Sequence, residues 1–215
     1  TNTHCGTKER STKLGNCLKK KQFNYDSCRQ HCNWSCFISI YASIRKNSNI
    51  PKKSRFFYGD INNKSLLNKA TRNCDIIFHL AAIPRVGYSI ENPVEVMSNN
   101  VISTSKTLKF AKYFKIPVVY SSSSSVVGNG SGPTNPYALS KYVGEMESVM
   151  YPSLYGTKTV SLRYFNVYSQ GQKADGPYAT AVANWMKFIS QNQNPFITGD
   201  GLQRRDMAHV KDVVS

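Results

Sequence analysis

The chain has 215 residues, 40% of them hydrophobic, and a formal net charge of +16. That length holds one large domain, or one domain and the beginning of another. No apolar run reaches the ~18–20 residues needed to span a bilayer, and no basic-then-apolar leader pattern opens the sequence, so a soluble, cytoplasmic protein is expected.

The charge is lopsided. Residues 1–55 carry 12 Lys/Arg against Glu9 and Asp26, whereas residues 56–215 carry 16 against 10. A basic front end can bind nucleic acid, but these charges are scattered and lack interleaved aromatic residues, so RNA or DNA is not the expected partner. Cys5, Cys17, Cys28, Cys32 and Cys36 crowd the same segment, and only Cys74 lies beyond it. Cys28, Cys32 and Cys36 have one-face helical spacing with His31 nearby, but zinc sites usually pair short-spaced ligands in two clusters. No metal site is expected, nor a disulfide framework. Residues 1–45 read as an atypical segment, of the kind a shifted reading frame would produce.

From about residue 55 strand and helix signals alternate. Residues 55–61 (RFFYGDI) read as a short strand ending in a turn, and residues 63–73 as a short helix with Leu66, Leu67 and Ala70 inward. Residues 75–82 (DIIFHLAA) form a continuous apolar run, the pattern of a strand buried on both faces. Met97, Val101, Thr104, Leu108 and Ala111 recur at 4-3-4-3 spacing, which predicts an amphipathic helix over residues 94–115. Residues 116–121 are the next strand. Pro136 suits a first helical position and opens a helix to about residue 150, followed by a strand over residues 159–165. This alternation predicts a parallel sheet with helices on both faces. Residues 176–190 then read as a helix and residues 195–201 as a short strand and turn, the beginning of a second, smaller lobe that the sequence leaves truncated.

The chemistry concentrates at one strand end. The serine run Ser121–Ser125 is followed by Tyr137 and Lys141, one helical turn apart and so on one face. A phenol titrates near ~10; a neighbouring ammonium is expected to hold it ionised, fit to act as a general base beside a serine hydroxyl. The carboxyl ends of parallel strands are where such folds bind ligands.

On these residues the chain resembles the extended short-chain dehydrogenase/reductase family, in particular its NAD-dependent nucleotide-sugar epimerases and dehydratases. The resemblance covers about residues 46–215. It rests on YGDI at residue 58, FHLAA at 78, SNNV at 98, SSSSVVG ending at Gly128, PYALSK at 136, LRYFNVY at 162 and GDGLQRRDMAHVKDVV at 199, in order and spacing. It implies a Rossmann-like doubly wound parallel sheet, NAD as cofactor and a nucleotide-sugar as substrate. Ser123 matches the catalytic hydroxyl, with Ser124 close enough to share the role. Tyr137 matches the base, and Lys141 its partner on the nicotinamide ribose. Asp60 and Ile61 match the adenine contact, Leu80, Ala81 and Ala82 the backbone path beside the cofactor, Asn100 the helix asparagine near it, and Tyr164 a nicotinamide-side contact. Asn166 and Arg205 match residues that hold the nucleotide-sugar, Arg205 at its diphosphate. Dehydratases of this family usually place Asp-Glu directly after the hydroxyl. Ser124 and Ser125 stand there in this chain, which favours a 4-epimerase over a dehydratase or decarboxylase.

The resemblance also implies a division into residues 1–45 in place of the first βαβ unit, residues 46–168 as the rest of the NAD-binding domain, and residues 169–215 as the opening of a substrate-binding lobe. A homodimer through the helices that follow Val94 and hold Tyr137 is implied as well. The family's Gly-rich pyrophosphate turn has no counterpart in residues 1–45. A non-catalytic protein binding RNA or a metal through this front end would instead retain nucleic acid or carry zinc on purification.

Overall fold

The computed structural model describes residues 57, 59–172, 174–175, 179–197 and 199–215. Residues 1–56 lie outside these, and the described residues of the strand expected over 55–61, namely 57 and 59–61, form a bend and turn and no strand. Within the described part, helix α1 (Lys64–Thr71) opens where the Asn63 side chain accepts the Leu66 N–H at 3.1 Å, the usual remedy for an unpaired first-turn amide. Leu67 and Ala70 point inward as expected, while Leu66 is half-buried.

Strand β1 is only Ile77–His79, shorter than the apolar run over residues 75–82. The chain leaves the sheet after His79, and Asn100 fixes the loop that follows. Its side chain accepts the Ile83 N–H at 2.8 Å and donates to the Ile83 carbonyl at 3.2 Å. Helices α2 (Val86–Glu91) and α3 (Pro93–Phe114) follow, and Lys115 ends α3 in the left-handed region at φ 55°, as C-terminal caps often do.

The buried face of α3 is broader than the expected stripe. Thr104, Leu108 and Ala111 are buried, Met97 and Val101 only half-buried, and Val96, Asn100, Ser103 and Thr107 complete the face. Polar residues are tolerated there because Ser103 and Thr104 donate to the Asn100 carbonyl and Thr107 to the Ser103 carbonyl, which satisfies each hydroxyl within the helix. Their small size lets the next helix pack close.

Strand β2 (Val118–Ser123), helix α4 (Pro136–Tyr155) and strand β3 (Thr159–Tyr164) complete the alternation. Asn135 caps α4 by accepting the Ala138 N–H at 2.9 Å, Pro136 fills the first turn, and Gly156 closes the helix at φ 66°. The three strands form one parallel sheet in the order β1-β2-β3, with Ile77 opposite Val118 and Val118 opposite Thr159. Ile61, Leu67, Ala70, Ile77, Leu108 and Val118 form the core between sheet and helices.

A second, two-stranded parallel sheet pairs β4 (Asn166–Tyr168) with β5 (Met207–His209); α5 (Ala181–Ser190) lies between them in sequence and α6 (Val210–Val214) follows. No strand occurs among the described residues of 195–201. Gly199 and Gly201 have φ of 79° and 74°, and Asp200 accepts the Leu202 N–H at 3.0 Å, so this stretch turns where a strand was expected.

Candidate active site

The end of β2 lies on the first turns of α4. Tyr137, Lys141 and Glu145 recur every four residues on the helix face against the strand, and each is buried, Lys141 to 4% exposure. Three consecutive serines meet them. The Ser123 hydroxyl lies close enough to the Tyr137 phenol to favour its ionisation. Lys141 Nζ donates to the Ser121 carbonyl at 2.8 Å, and Ser122 Oγ donates to Glu145 Oε1 at 2.5 Å. Arg163 on β3, in register with Ser122, grips the same carboxylate through Nε at 2.9 Å and Nη2 at 2.7 Å. Ser123 Oγ also accepts the Ser125 N–H and donates to Ser125 Oγ, both at 3.2 Å.

The electrostatics correct one expectation. Burial pushes the Tyr137 phenol above its usual range, and the Ser123 hydroxyl pulls it partly back. Lys141 does not hold it ionised here: the ammonium is bound to the Ser121 carbonyl, and burial alone lowers its own pKa to about 8. The phenol is therefore protonated at neutral pH in this structure. Burial opposes ionisation of Glu145 as well, but Arg163 and Ser122 hold its carboxyl below the usual carboxylate range. Behind Lys141, burial drives His79 down to about 3, helped by the Lys141 charge. His79 Nε2 lies 3.0 Å from Thr104 Oγ1, whose own hydrogen goes to the Asn100 carbonyl, so Nε2 carries the proton. Tyr120 packs 5.7 Å from the His79 ring and donates to the Lys141 carbonyl at 3.3 Å.

The structure brings some of the other expected residues together and separates others. Tyr164 ends β3 directly opposite Ser123. Leu80 and Ala81 line a small cavity with Ile61, and Ala82 follows in the loop after β1. Asp60 is exposed and accepts the Asn62 N–H at 2.8 Å, while the Ile61 side chain belongs to the core. Asn100 is buried, and its amide holds Ile83 and donates to Ser140 Oγ at 2.9 Å. Ser124 opens a 3-10 turn after the strand, and Ser125 is the hydroxyl that contacts Ser123. Asn166 stands at the head of the β4–β5 pair, two residues beyond Tyr164, and Arg205 precedes β5. Asn166 donates to the Asp206 carbonyl at 3.0 Å, and the exposed Arg205 donates to the Arg204 carbonyl at 2.8 Å. Glu145, Arg163 and Ser122 were not anticipated; the recurrence of Tyr137, Lys141 and Glu145 at four-residue intervals was the available signal.

The described residues fit the nicotinamide half of a dinucleotide. Ser121 Oγ is buried at the strand end without a hydrogen-bond partner, beside an ammonium that donates to the Ser121 carbonyl, where strands of a parallel sheet end. The pyrophosphate half has no Gly-rich turn in residues 1–45.

The model of the NAD dependent epimerase/dehydratase family matches residues 37–215. The chain belongs to this family. Its members are NAD-dependent enzymes, and the fold is theirs. A solved UDP-N-acetylglucosamine 4-epimerase of Methanobrevibacter ruminantium, in complex with UDP-N-acetylmuramic acid, is 32% identical and superposes with a TM-score of 0.70 over 76% of this chain and 56% of its own. UDP-glucuronic acid 4-epimerase of Bacillus cereus, solved with UDP-glucuronic acid and NAD, is 31% identical with a TM-score of 0.68 over 77% of this chain and 55% of its own. UDP-N-acetyl-alpha-D-glucosaminuronate decarboxylase of Bacillus cytotoxicus is 30% identical over 70% of this chain and 51% of its own length. The chain spans about half the length of such relatives. Among the described residues, no helix is long and apolar enough to cross a membrane, and no group of three or more His, Cys, Asp or Glu is placed to hold a metal.

Proposed function

We propose that the chain is an NAD-dependent nucleotide-sugar 4-epimerase acting on a UDP-sugar. The observation that carries this reading is the convergence of Ser123, Tyr137 and Lys141 at the carboxyl end of a parallel sheet, with uncharged Ser124 and Ser125 after Ser123. Lys141, Tyr137, Tyr164 and the backbone of residues 80–82 would hold the nicotinamide side of the cofactor, and Asp60 with the Ile61 backbone its adenine. The chemistry the cofactor supplies when bound is hydride acceptance from the sugar C4 and its return, together with a positive ring that favours an ionised phenol.

The residues of the chain handle the proton. A sugar 4-hydroxyl seated between Ser123 and Tyr137 is oriented by the serine and gives its proton to the phenolate oxygen as C4 becomes a ketone. Lys141 stabilises the ionised phenol once drawn from the Ser121 carbonyl towards the cofactor ribose. The ketone turns over within the pocket, and Tyr137 returns the proton when the opposite face is reduced. No carboxylic acid follows Ser123 to expel water, which is why epimerisation is favoured over dehydration.

Residues 169–215 would open the substrate lobe, with Asn166 and Arg205 as its first contacts; Arg205 reaches a diphosphate only after leaving the Arg204 carbonyl. A homodimer is the proposed assembly. Leu139, Tyr142, Met146 and Val149 form an exposed apolar row on α4, and Ile102 is exposed on α3.

The test is product analysis. Purified protein with NAD in excess is given UDP-glucose, UDP-N-acetylglucosamine and UDP-glucuronate in separate reactions. The expected product is the 4-epimer of at least one of them. A 4-keto-6-deoxy sugar, release of carbon dioxide, or no conversion by folded protein would overturn the reading.

A further inference from the structure

The contact between Ser123 and Tyr137 joins two elements far apart in sequence, and something must hold them in register. Within the described residues only β2 and α4 supply the pair. Ser123 is the last residue of its strand, followed by a 3-10 turn, so the strand's own ladder supports it from one direction only. Glu145 is placed to provide the support. Its carboxylate is buried, takes the Ser122 hydroxyl at 2.5 Å, and is held bidentately by Arg163 at 2.9 and 2.7 Å. Ser122 and Arg163 are register partners on β2 and β3. One side chain of α4 thus ties the helix to both strands, one residue before the hydroxyl and two turns after the phenol. A bidentate Arg–carboxylate pair fixes geometry as well as distance, and a carboxylate buried on this scale is tolerated only with such partners.

We infer that Glu145, clamped between Ser122 and Arg163, is a positioning residue that sets the contact between Ser123 and Tyr137. Its importance for catalysis rests on the epimerase reading above; the geometry it sets does not. Glu145 touches neither the phenol nor the Ser123 hydroxyl. It acts through the neighbouring Ser122 backbone and the shared helix, so losing it frees the strand end to shift along α4.

The test is a double-mutant cycle between Ser123 and Tyr137, read by denaturant unfolding of the full chain without cofactor or sugar. Ser123→Ala, Tyr137→Phe and the double variant are compared in three backgrounds: wild type, Glu145→Gln and Ser122→Ala. In the wild-type background the cycle should show coupling of about two- to tenfold in the unfolding constant, the scale of one hydrogen bond. In both other backgrounds the coupling should vanish. A contribution of Glu145 to overall stability alone would lower every corner of the cycle and leave the coupling intact, and that result would overturn the inference. So would absent coupling in wild type. If Glu145→Gln does not fold, Ser122→Ala, which keeps the ion pair, decides by the same criterion. Because no turnover is measured, an inactive chain whose coupling depends on Glu145 refutes the epimerase reading and leaves the clamp standing.

Discussion

Replacing Lys141 with Met should stabilise the folded chain while removing the group proposed to act with Tyr137. Lys141 is 4% exposed, and burial takes its amine from 10.5 to about 8. That shift corresponds to about 3 kcal/mol against the charged form at pH 7. Met fills a similar volume without the charge, and the lost hydrogen bond to the Ser121 carbonyl offsets about 1 kcal/mol. The net gain is about 2 kcal/mol, or about 4–8 °C in melting temperature for a chain of this size. The pH dependence supplies an internal control. Between pH 8 and 10.5 the unfolded lysine still binds a proton that the folded one has released, so wild-type stability rises with pH across that window. The lead of the Met variant should therefore shrink steadily from pH 8 upward. Differential scanning calorimetry at pH 7, 8, 9 and 10 reads both effects. A variant less stable than wild type at pH 7, or a lead that does not change with pH, would refute the reasoning.

Three further outcomes follow from the packing around the site. A Cβ on Gly144 would lie 2.3 Å from Tyr120 Oη and 2.5 Å from its Cζ, and the Tyr120 ring is too deeply buried to step aside. Gly144→Ala should lower the melting temperature, since overpacking of about 1–3 kcal/mol outweighs the ~1 kcal/mol helix gain; a rise would show the ring is free to move. His79 is neutral in the fold, with a pKa of about 3 against 6.5 unfolded, so the unfolded chain binds the extra proton and stability falls as pH drops from about 6.5 towards 3. His79→Asn should be less stable at pH 7 yet lose less between pH 6.5 and 4.5 in urea unfolding; an unchanged loss would point to another titrating group. Met146→Glu should convert a dimer to a 24.1 kDa monomer in light scattering, because a carboxylate does not pair within the apolar row of α4; a wild-type monomer would contradict the proposed interface.

The parallel α/β architecture was legible because its signals are local. Pro136 fills a first helical turn, Val118, Val119 and Tyr120 open β2, and Val160, Leu162 and Tyr164 alternate along β3. The Ser123–Tyr137–Lys141 set was legible because helical spacing puts the latter two on one face and a strand end supplies the first. Contacts between elements were not. The run over residues 75–82 looks like one strand, and only the distant Asn100 shows why the chain leaves the sheet at His79. The buried face of α3 includes serines and threonines whose hydroxyls are satisfied within the helix, which a hydrophobic stripe does not reveal. The partner of Lys141 is a backbone carbonyl, so composition gave no hint that the ammonium is bound to Ser121. Gly199 and Gly201 turn a stretch that reads as a strand, and β5 forms instead where Met207–His209 meets Asn166–Tyr168.

The fate of the C4 hydrogen tests the central claim most directly. With NAD in excess, the chain is given its UDP-sugar substrate, identified by the product analysis above, carrying deuterium at C4, and the product is examined by NMR and mass spectrometry. Withdrawal and return of hydride within one pocket, with Tyr137 moving only the hydroxyl proton, requires the deuterium to reappear at C4 of the 4-epimer, and Tyr137→Phe to abolish its formation. Deuterium lost to solvent, or a Tyr137→Phe variant as active as wild type, would contradict the account.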